Sequence, residues 1–210
     1  MIYGVQHGKH VGHCYEGTIC LINKLDIRDE HKLAEVEAAI VLGKLTALKQ
    51  RPVQGTFNFE HYKQIHRFLF CDLYDWAGQI RDIDISKKGT TFVAANKIET
   101  CAKPCFERLQ SFCAESLSHR EVAEGVADFY HTINMLHPFR EGNGRTQRAF
   151  FAQWVEKRLG YRFDLAALDP DELMIATIYA AQGVMDYLVS CFDRMLQPLE
   201  MNMEIEMTML

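Results

Sequence analysis

The stretch His137-Pro138-Phe139-Arg140-Glu141-Gly142-Asn143-Gly144-Arg145-Thr146-Gln147-Arg148 lies between two segments with the apolar spacing of helices. Its glycines let the backbone approach an anion closely, and the first turn of the following helix directs free N–H groups at the same place. Arg145, Arg148, a carboxylate and a histidine complete a set that can bind a polyphosphate and move a proton. The stretch therefore predicts a phosphate site at the start of a helix.

The composition is that of one ordinary globular domain. The chain has 210 residues, of which 48% are hydrophobic and 24% charged, enough to bury a normal core. A formal net charge of −5 and the lack of a Lys/Arg run argue against nucleic acid as a partner. No apolar run is long enough for a bilayer or a secretory signal, so we expect no membrane partner. We expect an N-terminal tail over 1–14, one domain over 15–197 and a C-terminal tail over 198–210.

The seven cysteines indicate a reduced, cytoplasmic protein, because most lie among apolar residues as buried thiols do. The close pair Cys101 and Cys105 has helical spacing and no second pair to complete a zinc site. Incidental histidines in a terminal segment are the simpler interpretation of the first residues. The alternative is a metal site formed by His7, His10, His13 and Cys14.

Helical spacing of apolar residues dominates the rest of the chain. Pro138 should end one helix, and Asp169 followed by Pro170 is typical of a helix start. Pro104 should kink or delay another. The predicted helices cover Leu33–Leu45, Phe59–Leu73 with an end near Gly78, Ile98–Phe112, Glu121–Leu136, Gly144–Leu159, Pro170–Gly183 and a last segment to Met195.

The segment from Gln79 to Ala95 is the exception, because apolar residues there flank a polar run and predict a β-hairpin. A single hairpin is weakly stable alone, so it must pack on the helices or serve binding. The predicted fold class is therefore mainly α: a compact helical bundle that carries one β-hairpin.

His137 and Glu141 are the candidate acid–base and metal-binding residues. With an unperturbed pKa of about 6.5, an imidazole can accept a proton from an attacking hydroxyl. A carboxylate can bind Mg²⁺ together with phosphate oxygens. The plainer alternatives are a solvated histidine before a proline, and an acid favoured by the dipole of the next helix.

Gly142–Gly144 and the two arginines are the candidate phosphate-binding residues. The glycines could form an anion nest from backbone N–H groups, with the Asn143 amide as a further donor, or simply a turn. Arg145 and Arg148 share one helix face and could clamp phosphates, or could be a solvated basic surface. Together within twelve residues, the set favours phosphoryl or nucleotidyl transfer, with a histidine that deprotonates a nucleophile in line.

The stretch matches the pattern H-x-F-x-[D/E]-G-N-G-R-x-x-R and resembles the Fic family. Further segments are similar to that family, and the resemblance covers roughly 15–197. It implies a Fic-type helical bundle with one β-hairpin flap, and transfer of AMP from ATP to a Ser, Thr or Tyr hydroxyl with release of pyrophosphate. The similar segments are Tyr15-x-Gly17-Thr18, Asn23-Lys24-Leu25, Leu73–Arg81 and Ile85–Lys87.

The resemblance also implies a role for each residue of the stretch. His137 would be the general base and Glu141 the Mg²⁺ ligand. Gly142–Gly144 would hold the α- and β-phosphates, Arg145 the β-phosphate side and Arg148 the γ-phosphate.

Two further binding regions follow from the resemblance alone. The edge of the flap would pair with a segment of the target protein as an added strand, and Phe92 would clamp the modified residue. Adenine would bind near Gln182–Tyr187, with Tyr187 as the candidate residue. The docking residues of the flap would be Ile85, Ser86, Lys87 and Phe92.

The resemblance further implies how the protein is regulated. Glycine at 142 favours AMP transfer over the phosphorylation of Doc-type relatives, which depart from the pattern there. The inhibitory pattern [S/T]-x-x-x-E-[G/N] has no full match, because Thr56–Glu60 and Ser111–Glu115 are followed by histidine and serine. We therefore expect a toxin held by a small helical antitoxin whose glutamate meets Arg148.

Three alternatives stay open at this point. The same fold could use another donor, namely a different nucleotide, phosphocholine or a phosphate. It could be an effector delivered to host proteins. A non-enzymatic binding module using the hairpin edge is disfavoured, because it would need neither His137 nor Glu141.

Overall fold

In the computed structural model, which describes residues 4–5 and 13–199, seven α-helices and five short strands form. The helices are α1 (Glu30–Gln50), α2 (Phe59–Phe70), α3 (Ile98–Ser111), α4 (His119–Leu136), α5 (Asn143–Trp154), α6 (Pro170–Ala181) and α7 (Asp186–Met195). The strands are β1 (Gly4–Val5), β2 (Ile85–Lys87), β3 (Thr90–Thr91), β4 (Tyr161–Phe163) and β5 (Leu196–Pro198). The mainly helical fold with a small hairpin confirms the predicted fold class.

Side-chain caps begin four of these helices. The Ser118 hydroxyl accepts from the N–H of Glu121 and that glutamate accepts from the N–H of Ser118, which is a capping box before α4. Asp169 caps α6 with proline in the first turn, as predicted. Caps of this kind stabilise a helix by about 1 kcal/mol each. The other two capping side chains belong to Asp29 and Asn58.

Helix α4 lies at the centre of the bundle and packs against α3, α5, α6 and α7. Helix α2 packs on α5 and α1. Aromatic side chains fill the space between them, and Phe106, Phe150, Phe151 and Trp154 are fully buried. This core holds the end of α4 and the start of α5 rigidly, so the loop between them is fixed at both sides.

The structure differs from the prediction at the end of α2 and at Pro104 of α3. Helix α2 ends at Phe70 rather than near Gly78, because the N–H groups of Leu73 and Tyr74 both donate to the Phe70 carbonyl and turn the chain away. Helix α3 runs through Pro104 without delay. Pro104 lies on the exposed face, where water can solvate the carbonyl that loses its partner.

The hairpin is shorter than the predicted segment from Gln79 to Ala95. Its strands β2 and β3 are joined by Lys88 and Gly89, both with positive φ (48° and 81°), as a two-residue hairpin turn requires. Ile83, Ile85 and Phe92 form a small apolar cluster beneath it. The hairpin is therefore anchored by a few side chains and a short ladder.

The ends of the domain contribute strands that the sequence did not predict. Gly4–Val5 pairs antiparallel with β2, which gives the order β1-β2-β3, and β4 pairs with β5. Cys14 forms an isolated bridge with Leu21. The remainder of the expected N-terminal tail, including His7 and His10, lies outside the described residues, as does 200–210 of the expected C-terminal tail. Among the helices that the structure describes, none is long and apolar enough to cross a membrane.

Candidate active site

His137 stands at the end of α4 in a left-handed backbone conformation (φ 40°, ψ 57°). Its Nδ1 lies 3.1 Å from the carbonyl oxygen of Asn134, which can only accept a hydrogen bond. The proton of the neutral ring therefore resides on Nδ1, and Nε2 carries the lone pair. This tautomer is the one that a general base working through Nε2 needs.

The imidazole of His137 is kept uncharged by its surroundings. Burial lowers its pKa to about 3, and the charges of Lys87 and Arg81 act in the same direction. The ring stacks on Phe92 of the hairpin at a centroid distance of 3.8 Å and an interplanar angle of 16°. The ring of Phe92 thus covers the histidine, and the predicted role of Phe92 as a clamp over the modified residue remains a prediction.

Asn143 and Gly142 determine the shape of the loop before α5. The Asn143 side chain accepts from the N–H of Phe139 (2.9 Å) and donates to the Phe139 carbonyl (2.7 Å). This pair of bonds gives its amide a loop-closing role besides that of the predicted anion donor. Gly142 precedes α5 with φ 80°, and the first N–H groups of the helix follow it. Backbone donors and a helix dipole therefore converge there, as an anion site requires.

Gly142 is required for steric reasons as well. A Cβ at this position would lie 2.3 Å from Cζ of Phe70, inside any allowed contact. Phe70 is fully buried at the end of α2 and cannot move aside cheaply. The close approach of the loop to α2 is therefore possible only with glycine.

Arg145 is held between two carboxylates. Its Nη2 lies 2.5 Å from Oε1 of Glu37 on α1 and 3.4 Å from Oε1 of Glu141. Its guanidinium also lies over the ring of Phe70, 4.8 Å from the centroid. Glu37 was missed by sequence reasoning, although a signal exists: it lies at i+4 from Leu33 and i−4 from Val41, on the buried stripe of α1.

The surroundings of three other predicted residues can be described. Burial lowers the pKa of Lys87 on β2, and the negative charge of Glu141 acts in the opposite direction. Burial raises the pKa of Tyr130 and the nearby Arg148 guanidinium lowers it, which places Arg148 beside α4. Tyr187 packs its ring against Tyr179 of α6, and its predicted role at adenine remains a prediction.

His66 is a second residue that sequence reasoning missed. It is fully buried on α2, its Nδ1 accepts from the N–H of Gly78 (2.8 Å), and its Nε2 donates to the carbonyl of Glu141 (3.0 Å). Burial lowers its pKa to about 3, which agrees with a neutral ring that bonds on both sides. A single histidine among apolar residues of a helix carries no distinct signal in the sequence.

Arg81 ties the hairpin to the end of α4. Its guanidinium donates to the carbonyls of His137 (2.9 Å) and Ile83 (2.6 Å) and to that of Val93. Burial lowers its pKa to about 10, so the group remains charged near neutrality. In the sequence, Arg81 lies in a segment that resembles the Fic family, but the resemblance assigned it no role.

Magnesium fits the site through Glu141. Within residues 4–5 and 13–199, no group of three or more His, Cys, Asp or Glu side chains could hold a metal ion alone. Mg²⁺ commonly uses one or two carboxylates and completes its shell with substrate phosphates and water. The Glu141 carboxylate is 18% exposed and lies next to the helix start, so it could be such a ligand.

A family model and several curated relatives match this chain, and the relatives described here are named as adenylyltransferases. The model of the Fic/DOC family matches residues 56–155. The probable protein adenylyltransferase y4lH of Sinorhizobium fredii is 34% identical and covers 87% of this chain and 94% of its own. The probable protein adenylyltransferase Fic of Escherichia coli is 30% identical, with 86% and 89% covered.

A third relative is much longer than this chain. The protein adenylyltransferase VbhT of Bartonella schoenbuchensis is 31% identical over 91% of this chain, and the chain spans 40% of its length.

Solved structures agree in fold over nearly the whole chain. BepC of Bartonella tribocorum, a VirB-translocated effector protein with bound AMPPNP, superposes with a TM-score of 0.82 at 28% identity, covering 90% of this chain and 97% of its own. The Fic domain of a putative cell filamentation protein of Bartonella quintana with bound ADP gives 0.82 at 26% identity, covering 90% and 95%.

Proposed function

The chain belongs to the Fic/DOC family, and from that premise we propose that it transfers AMP from ATP–Mg²⁺ to a Ser, Thr or Tyr hydroxyl of a target protein. The observation that carries the proposal is the juxtaposition of a neutral His137, protonated on Nδ1, with the helix start at Gly142–Gly144 and two arginines. The names of the relatives and the nucleotides bound by similar structures support it.

In this reaction His137 takes the proton of the target hydroxyl on Nε2. The hydroxyl oxygen forms a bond to the α-phosphorus, the bond from that phosphorus to the bridging oxygen breaks, and pyrophosphate leaves with the electron pair. The N–H groups of Gly142–Gly144 would stabilise the charge that develops on the α- and β-phosphates, once that of Gly142 is released from the Glu141 carboxylate to which it donates at 2.9 Å in this structure. When bound through Glu141, Mg²⁺ would neutralise part of the phosphate charge.

The low pKa of His137 belongs to the protein without nucleotide. Burial without a nearby anion disfavours the charged ring. A triphosphate at the helix start brings negative charge towards the ring and raises its pKa, so its basicity rises when the substrate is in place. Binding thereby prepares the base for the step that uses it.

The target would dock on the hairpin as an added strand, with Phe92 beside the modified residue. Edge strands offer unpaired N–H and C=O groups for this purpose. In the structure the edge of β2 is paired with Gly4–Val5, opposite Ile85 and Ser86. We propose that a target segment takes the place of β1 on this edge.

AMP is favoured as the transferred group because Gly142 admits no side chain. A Cβ at this position would lie 2.3 Å from the ring of Phe70, so a side chain there would displace the loop that we propose to hold the phosphates. Adenine would lie near Tyr187. In the labelling experiment described below, transfer of a phosphate would give label from the γ-position alone, whereas transfer of another nucleotide or of phosphocholine would give no label from either form of ATP.

A small helical antitoxin is proposed as the regulatory partner of a cytoplasmic toxin. The sequence offers no full inhibitory pattern, and Arg148 is only partly buried, so a glutamate supplied from another chain could reach it. Co-expression with the protein of a neighbouring reading frame should lower ATP turnover, and an Arg148→Gln variant should lose that inhibition. Unchanged turnover on co-expression would argue against the partner.

The experiment that tests the function uses α-³²P-ATP and γ-³²P-ATP in parallel, with Mg²⁺ and a lysate. We expect label on a protein only from the α-labelled nucleotide, and loss of that label in His137→Ala. Label from the γ-position alone would mean phosphorylation. A bacterial and an animal-cell lysate are compared, because the similar solved structures include translocated effectors and the target could be a host protein.

A further inference from the structure

The buried carboxylate of Glu37 lies outside the motif but touches it. Glu37 is a residue of α1 with a side chain only 11% exposed, and its partner Arg145 is 24% exposed. One carboxylate oxygen accepts from Arg145 at 2.5 Å, and the other accepts from the Tyr74 hydroxyl. Both oxygens are therefore engaged, and the carboxylate cannot turn away from the arginine.

Arg145 needs such a partner to be ready for a phosphate. A free arginine side chain carries up to about 2 kcal/mol of rotamer entropy, which ligand binding must otherwise overcome. Glu37 binds through one terminal nitrogen, and the planar guanidinium keeps further N–H donors for a second anion. The contact with the Phe70 ring fixes the plane of the guanidinium as well.

Glu37 also holds Arg145 away from a closer contact with Glu141. The two carboxylates compete for the same nitrogen, and the shorter contact is to Glu37 (2.5 Å against 3.4 Å). Without Glu37, the arginine would close onto Glu141. It would then lie on the carboxylate that we propose as the Mg²⁺ ligand.

We propose that Glu37 is a positioning residue that pre-orients Arg145 for the β-phosphate of the nucleotide. This inference rests on the proposed function, since it takes the β-phosphate contact of Arg145 from it. Tyr74 supports the same arrangement by holding the second oxygen of Glu37. Helix α1 thereby contributes to nucleotide recognition without touching the nucleotide.

The test compares nucleotide affinities of Glu37→Gln and of the unmutated enzyme. Binding of AMP, ADP and ATP is measured by calorimetry with Mg²⁺, in a His137→Ala background that stops transfer. We expect affinity for ADP and ATP to fall roughly three- to tenfold, the cost of immobilising one side chain, and affinity for AMP to stay within about twofold. The matched control is Glu35→Gln, which removes the same charge from an exposed position of α1.

A double-mutant cycle separates positioning from general damage. If Glu37 acts through Arg145, Glu37→Gln should have no further effect on ADP binding in an Arg145→Gln background. Glu37→Asp, which keeps the charge but shortens the reach, should resemble Glu37→Gln and serves if that variant does not fold. Tyr74→Phe should give a smaller loss in the same direction.

Other outcomes would overturn the inference. An equal loss of affinity for AMP would show a merely structural role, and tighter ADP binding would show that Glu37 competes with the phosphate. Absence of any nucleotide binding by the unmutated enzyme would overturn the proposed function as well. If the enzyme binds AMP, ADP and ATP but Glu37→Gln does not weaken ADP and ATP binding relative to AMP binding, this inference alone is overturned.

Discussion

Two buried imidazoles, His66 and His137, are uncharged in the folded protein because burial lowers the pKa of each to about 3. In the unfolded chain both would titrate near about 6.5. Between these values the unfolded state binds more protons, so the free energy of unfolding decreases as the pH falls from about 6.5 towards 3. Above about 7 neither group contributes to the pH dependence.

The first prediction for single residues is that the free energy of unfolding decreases in acid. Each histidine should contribute a slope of roughly 1.4 kcal/mol per pH unit below pH 6. His66→Gln should remove the contribution of His66 to that slope, whatever the substitution costs in stability at pH 7.5. Urea unfolding at pH 7.5, 6.0 and 5.0 measures this, with His31→Gln, an exposed position of α1, as the control. A His66→Gln slope equal to that of the unmutated protein would contradict the prediction.

Gly142 allows a prediction with a closely matched control. Gly160 has a similar backbone conformation (φ 71° against 80°), but a Cβ there would meet nothing within 4 Å. Gly160→Ala should therefore cost only the left-handed strain, about 1–2 kcal/mol. Gly142→Ala adds the clash with Phe70, for a total of about 2–5 kcal/mol.

A side chain at position 142 should affect AMP transfer even more strongly than stability. A displaced loop moves the phosphate donors, so we expect Gly142→Ala to slow AMP transfer roughly a hundredfold and Gly160→Ala to leave it near normal. Chemical denaturation and the α-³²P-ATP assay measure the two effects. Equal behaviour of both variants would show that the contact with Phe70 is unimportant.

Residues of the site could be predicted from the sequence only where they are contiguous. The motif places His137 and Arg145 within nine positions, so its chemistry could be inferred from residue types alone. Glu37 lies 108 positions before Arg145, and only the fold brings the two together. His66 resembles an ordinary core residue until its bonds to Gly78 and Glu141 are known.

At the scale of elements, apolar spacing predicted the helices well and their ends less well. The capped start of α6 followed from Asp169 and Pro170 in the sequence, whereas α4 begins at His119 behind the Ser118 cap, two residues before the predicted start at Glu121. The end of α2 depends on a turn around the Phe70 carbonyl that has no glycine or proline signal. Strands β1, β4 and β5 have two or three residues each, too short for an alternation to be visible.

Strand β1 provides the prediction at this scale. Gly4–Val5 occupies the β2 edge that we propose for the target. A chain that lacks residues 1–5 exposes the edge, so target labelling should increase several-fold at limiting target concentration. A chain that lacks only 1–3 keeps both pairing residues and is the control. Unchanged labelling would instead place the target on the β3 edge, and reduced labelling would mean that β1 supports the hairpin.

At the scale of the whole molecule, the candidate site draws on segments that are distant in the chain. Helix α1 supplies Glu37, α2 supplies His66, and the hairpin supplies Phe92, while the loop before α5 supplies the motif. The matched family range begins at 56, so Glu37 lies outside it. Long-range contacts of this kind make the geometry of the site a property of the complete bundle.

Arg81 is the connection on which the hairpin and the helical body both depend. The carbonyls at the end of α4 have no partners within the helix, and the guanidinium satisfies that of His137 together with those of Ile83 and Val93. Its side chain is fully buried, so water cannot replace it. The planar fork also donates to the carbonyl of Leu136 (3.4 Å), and an ammonium on a flexible stem cannot reach four carbonyls in the same geometry.

Arg81→Lys should therefore damage stability and catalysis together. Buried carbonyls left unsatisfied should lower the free energy of unfolding by about 2–4 kcal/mol. Because the same bonds fix the backbone of His137 against the hairpin, kcat should fall more than the affinity for ATP. Arg108→Lys, in an exposed ion pair with Asp128, should change stability by no more than about 0.5 kcal/mol and leave kcat unchanged. If Arg81→Lys lost stability but kept its kcat, the arginine would support the fold without aligning the base.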